Sequence, residues 1–231
     1  MRYLFVVLIA CAWFLAPAVW AAAPCCAAST EEEEAERKPI ELFNGTDFEG
    51  WKLFIPDENV DPATVWSVRE GMVHCVGTPI GYMRTVQKFS DYKLAFEWRW
   101  PGEGGNSGAL LHISGEDKVW PKSIESQLHS ANAGDFWVID GTSFKEHRSN
   151  EPGDRRVRKM EESNEKPLGE WNKMEIICAG NTIKVYVNGL LQNVATETTV
   201  KEGYIGLQSE GTPVEFRNIK LWPLSEENEE D

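Results

Sequence analysis

Histidine is scarce in this chain, basic charge is outnumbered, and no cysteine spacing repeats. There are four His, and 23 Lys and Arg stand against 37 Asp and Glu, a net charge of −14. A field of that sign disfavours phosphate backbones, so nucleic acid is excluded as a partner class. The one basic cluster, Arg155-Arg156-Val157-Arg158-Lys159, is followed after Met160 by Glu161-Glu162 and reads as a solvated loop rather than an anion site. No CxxC or Cys/His spacing signals zinc. Helical periodicity is missing too. No segment of the body keeps it beyond two turns, and no internal repeat is present, which argues against a helix bundle or a solenoid.

The aromatic and turn-forming residues are plentiful instead. Among 231 residues are ten Trp, ten Phe, nineteen Gly and twelve Pro, and 42% of the chain is hydrophobic. That is one globular domain with a real core and many turns. Short apolar or alternating runs between Gly, Asn and Asp predict strands at 65–68, 72–76, 93–100, 107–113, 123–129, 171–178, 182–187, 204–208 and 214–222. Asn188-Gly189 is a hairpin dipeptide before a further run at 190–194. Residues 141–169 are charged, lack strand character and predict a large surface excursion. Regular strands without helical crossovers predict an all-β antiparallel sandwich or barrel.

The ends have separate roles. Met1-Arg2, an apolar run to Trp20 and then Ala21-Ala22-Ala23 form a secretory signal pattern (residues 1–21, with cleavage between about 21 and 28). The alternative is an uncleaved anchor, since 3–23 is just long enough to span a bilayer. Residues 22–38 are an acidic linker and 225–231 an acidic tail, each end holding five acids, while 39–224 is the folded body. The expected location is outside the cytoplasm, with no stable membrane span after processing. Cys75 and Cys178 lie in the body, where export permits a disulfide and burial as free thiols is equally consistent.

A series of motifs makes the body recognisable. Leu42-Phe43-Asn44-Gly45, Gly50-Trp51, Gly81-Tyr82-Met83-Arg84-Thr85, Phe96-Glu97-Trp98-Arg99 and Gly105-Asn106-Ser107-Gly108 come in order. Glu125-Ser126-Gln127, Gly169-Glu170-Trp171-Asn172, Val187-Asn188-Gly189, Gly203–Gln208 and Glu215–Ile219 follow. From about Glu41 to Leu224 the chain resembles the 3-keto-disaccharide hydrolase domain family. The resemblance implies a two-sheet, concanavalin A-like jelly roll, usually exported, in bacteria that degrade polysaccharides. It implies a carbohydrate substrate, an oxidised di- or oligosaccharide carrying a ketone at carbon 3.

Such a ketone acidifies the proton on carbon 2. A base can remove that proton to give an enolate, which expels the glycosidic oxygen from carbon 1; water can then add for net hydrolysis. The route needs a positioned base and a group that stabilises the enolate oxygen. Glu125, Gln127 and His129 alternate on one strand and face one way, opposite Ile124 and Leu128. Glu125 and His129 are therefore candidate bases, with Glu210 a further acid or base if the strand carrying Gln208 reaches the same groove. Arg99, Asn106, Ser107, His112, Gln127 and Gln208 are candidate sugar contacts, and Trp120 and Trp137 candidate stacking platforms. Phe96, Trp98 and Trp100 share the opposite face from Glu97 and Arg99 and are expected in the core.

His112 stands where much of the family has Arg, and His129 where many relatives have Asp. Together with Glu125 these two His define the set that a divalent metal would use, with His147 nearby in sequence; His74 reads as structural. A non-catalytic carbohydrate-binding module on the same fold is the competing reading, and such a module needs aromatics and amides but no titratable base.

Overall fold

The computed structural model describes residues 38–224. The expected signal segment, nearly all of the linker, the acidic tail and Cys11, Cys25 and Cys26 lie outside the described residues.

Fifteen strands follow one another: β1 (Ile40–Glu41), β2 (Trp51–Phe54), β3 (Trp66–Arg69), β4 (Met72–Cys75), β5 (Gly81–Thr85), β6 (Tyr92–Arg99), β7 (Gly108–Ser114) and β8 (Lys122–Gln127). Then come β9 (Phe136–Ile139), β10 (Arg156–Val157), β11 (Asn172–Ala179), β12 (Thr182–Val187), β13 (Leu190–Ala195), β14 (Tyr204–Ser209) and β15 (Val214–Pro223). Two single 3-10 turns are the only helical pieces among the described residues. The strands pair into two antiparallel sheets. One runs β13-β12-β11-β6-β15-β4-β3 with β1 also on β15; the other runs β10-β9-β8-β7-β14-β5-β2. This is the expected two-sheet jelly roll. At Asn188-Gly189 both residues take positive φ, 47° and 83°, as the tight β12–β13 turn requires.

Alternation along each strand decides which sheet face is dry. Phe96, Trp98 and Trp100 of the first sheet are buried, as expected, against Met83, Ala109, Leu111, Ile124, Phe136 and Leu207 of the second. Glu97 and Arg99 point out of the sandwich, where Arg99 pairs with Glu215 and stacks on Trp171 at 4.6 Å. Cys75 and Cys178 are both buried and unpaired. On its far face the second sheet carries a smaller apolar cluster of Tyr82, Leu110, Ile113 and Ile139. Glu125 and Gln127 of β8 stand on that same face, while Ser126 turns inward to Met174. Glu125 is in register with Leu110 on one side and with Trp137 on the other.

Candidate active site

A cavity of about 170 Å³ opens on the far face of the second sheet, lined by Asn106, Trp120, Glu125, Gln127, Trp137, Ile139, Arg155 and Glu210. Four of these residues, Glu125, Gln127, Trp137 and Ile139, come from the β8–β9 ladder, and four, Asn106, Trp120, Arg155 and Glu210, from the loops around it. Glu125 is the more buried of the cavity's two carboxyls. It is 5% exposed, and its Oε1 has no hydrogen-bond partner. Burial, with Glu210 adding like charge, pushes its carboxyl well above the ordinary range, against a smaller opposing pull from Arg155.

Glu210 follows directly on β14. Its backbone pairs with Asn106 in an isolated bridge, and the Asn106 side chain donates to its carboxylate. Burial nevertheless raises Glu210 to about 7, against the lowering effect of that hydrogen bond. Two carboxyls thus share one small cavity, one held towards its neutral form and the other poised near neutrality. Environments that separate two carboxyls in this way set up an acid and a base.

The remaining walls are aromatic, amide and cationic. Trp137 and Trp120 are the aromatic surfaces, and Arg155 sits 5.7 Å from the Trp137 ring centroid. Gln127 spends its side-chain oxygen on the backbone N–H groups of Leu128 and His129, each at 3.0 Å, so it is fixed in place. Ser107 is buried and donates to the Gln208 carbonyl at 2.9 Å, stitching the start of β7 to β14. Gln208 is buried on β14 beside the cavity. Across Arg155 lies a second, more open cavity of about 400 Å³, which includes Ser143, His147, Asn150 and Asp154 in its lining.

Several expectations are corrected here. His129 is exposed beyond the end of β8, with Nδ1 2.9 Å from the Ser130 carbonyl, and does not line the cavity. His112 is buried between the sheets, its ring edge-on to Tyr92 at 5.6 Å and its Nδ1 3.3 Å from the Val200 carbonyl. Arg99 belongs to the outer face of the other sheet. His112, Glu125 and His129 therefore do not form a ligand set, and among the described residues no group of three metal-ligating side chains converges. His147, between Ser143 and the Asp154 carbonyl, lines only the second cavity. Arg155 is the charged cavity-lining residue that the sequence did not single out. Its neighbours in the basic cluster are structural, with Arg156 pairing to Asp135, and no periodicity distinguishes one Arg of the five-residue run from the next.

Residues 38–222 match the family model described as the 3-keto-alpha-glucoside-1,2-lyase-like domain. The chain belongs to that family. A family relative from Bacteroides thetaiotaomicron, named 3-keto-disaccharide hydrolase, is 24% identical over 79% of this chain and 77% of its own length. A crystal structure from Parabacteroides distasonis, named as a glycosyl hydrolase, superposes with a TM-score of 0.63 at 23% identity, covering 84% of this chain and 97% of that one. The Bacillus licheniformis β-glucanase shares the fold at a TM-score of 0.55 and 14% identity, over 81% of this chain and 98% of its own.

Proposed function

We propose that this protein cleaves 3-keto-glucosides by proton abstraction at carbon 2, with Glu210 as the base and Glu125 as the acid. The observation that carries the reading is the pair of carboxyls lining one cavity, Glu210 raised to about 7 by burial and Glu125 pushed well above the ordinary carboxylate range by burial and by Glu210. Family membership supports the substrate class, and the name of the Bacteroides relative supports net hydrolysis.

In this reading the oxidised ring lies in the smaller cavity, against Trp120 and Trp137. Glu210 takes the carbon-2 proton and the bonding pair forms the carbon 2–carbon 3 double bond, leaving the charge on the carbon-3 oxygen. Arg155 is the cation available to stabilise that charge. When the enolate collapses, the carbon 1–oxygen bond breaks and Glu125 gives its proton to the departing oxygen. Water then adds across the new double bond for hydrolysis, or the unsaturated product leaves. The wider cavity beyond Arg155 gives the departing sugar room. Asn106 keeps Glu210 aimed and ionisable. The reading includes export of the domain, on the strength of the pattern at 1–23.

A binding module gains nothing from one buried and one half-buried carboxyl in the same cavity, which cost desolvation. The decisive experiment sets 3-keto-glucosides beside their unoxidised parents, with and without chelator. Turnover is expected on the keto sugars only, slowed by deuterium at carbon 2. Glu210→Gln is expected to lose about 10²–10⁴-fold, the usual size of a general-base contribution. Oligosaccharide binding without turnover of any keto sugar would establish the module instead.

A further inference from the structure

We propose that Gln208 is the positioning residue that keeps Glu125 protonated, its side-chain carbonyl accepting the carboxylic O–H across the face of Gly108. Glu125 is 5% exposed on β8 and Gln208 is 2% exposed on β14, with β7 between them. The Oε1 atoms of both side chains lie under 3.0 Å from where a Cβ on Gly108 would stand. They converge because residue 108 has no side chain. Neither oxygen has a hydrogen-bond partner. Two buried, unpaired acceptors brought together each forfeit a hydrogen bond, which is costly in a dry site. A single proton on Glu125 turns one into a donor and satisfies both.

The charged and titratable groups around the carboxyl agree with that arrangement. Glu210, from the loop after β14, opposes ionisation, and only Arg155, from the loop before β10, favours it. The strands packed beside it present Gly108 and Leu110 from β7 and Trp137 from β9, none of them titratable in the ordinary range. The last side-chain torsion of Glu is soft. Turning it exchanges the two carboxyl oxygens and presents the O–H to the cavity, so the same contact stores the proton and leaves it deliverable. The reverse arrangement, with the amide turned and its N–H donated to a carboxylate, would hold Glu125 charged and unfit to serve as the acid. The catalytic meaning of the contact rests on the function proposed above; the protonation itself does not.

The two arrangements predict opposite signs. Gln208→Met keeps the shape of an unbranched side chain and removes the strong acceptor. If Gln208 accepts the acid proton, the neutral form loses support, and the alkaline limb of kcat/KM moves down by about one pH unit, the size of one net hydrogen bond. An upward move would overturn the proposal. Two measurements need no substrate. Infrared spectra of the wild-type protein at pH 7 should show a protonated-carboxyl carbonyl band that Glu125→Gln removes, and absence of that band overturns the assignment. Glu125→Gln, whose amide still donates to Gln208, should melt at or above wild type at pH 8, where the wild-type acid is under pressure to ionise. A lower melting temperature would favour the charged arrangement. If the band is present while no keto sugar is turned over, the proton contact stands and the proposed function fails.

Discussion

At the scale of single residues, the cavity turns on how far two carboxyls are driven apart. Glu210 rises to about 7 because burial outweighs the Asn106 hydrogen bond. Acting as a base, it must be deprotonated, so kcat/KM is expected to climb with pH through about 7. Glu125 must keep its proton, so activity falls again at higher pH, where its raised carboxyl finally ionises. The bell belongs to the pair, because each charge raises the cost of the other. A pH profile of Glu210→Gln should lose the acid limb, while Asn106→Ala, which removes the one group lowering Glu210, should move that limb upward. An acid limb unchanged in both variants would take the base away from Glu210. The stability linkage runs the same way. A carboxyl whose pKa is raised on folding stabilises less as pH climbs from its unfolded value towards its folded one. Glu125 and Glu210 therefore both make the fold least stable in alkaline solution.

Elements decide which residues can reach those carboxyls, and here the sequence was only partly legible. Alternation placed Glu125 and Gln127 on one face of β8 and Ile124 and Leu128 on the other, as found. It could not say where the strand stops. The ladder ends at Gln127, whose carbonyl and side-chain oxygen are taken by Gly134, Leu128 and His129 as the chain turns, so His129 leaves the face that alternation assigned it. His112 was lost to a bulge. It has φ of 56°, and the β7–β8 register slips between Leu111 and Ser114, which turns His112 inward to Tyr92 and brings Ile113 out beside Leu110. No glycine marks that bulge in the sequence. Arg155 was hidden for a different reason. It enters the cavity because the short β10 pairs with β9, and β10 is pinned by Asp135, 1% exposed, which accepts from Arg156 Nε at 2.6 Å and from the Lys159 N–H at 2.7 Å. Two neighbouring substitutions should therefore behave differently. Arg156→Ala leaves a buried carboxylate short of its cation and should cost about 3 kcal/mol of stability, the low end for a broken buried pair. Arg155→Ala should leave the melting temperature nearly unchanged and cut kcat by about 10²–10³-fold if it stabilises the enolate oxygen. Thermal melts and kinetics on the same two samples separate these roles; equal losses of stability would make Arg155 structural too.

At the scale of the molecule, the sandwich closes its core with no disulfide among the described residues. Cys75 sits on the edge side of the first sheet, in β4, and Cys178 near the other side, in β11. Two strands, β15 and β6, separate theirs, so the thiols are held apart by the sheet itself. Burial pushes Cys75 up to about 11 and Cys178 up to about 12. Thiol reagents attack the thiolate, and neither residue offers one at neutral pH or a path for the reagent. In the domain cut back to 38–224, whose only cysteines are these two, both should resist a disulfide-exchange reagent in the native state and react together once the sandwich opens. Their reaction rate should then track global unfolding across a denaturant series, because each is anchored in the core of one sheet and no smaller opening exposes both. A reductant should not change the melting temperature. One thiol reacting well ahead of the other would show that the β4 edge or the β11 side opens separately. A melting temperature lowered by reductant would mean that the two sulfurs meet after all, which this sheet order forbids.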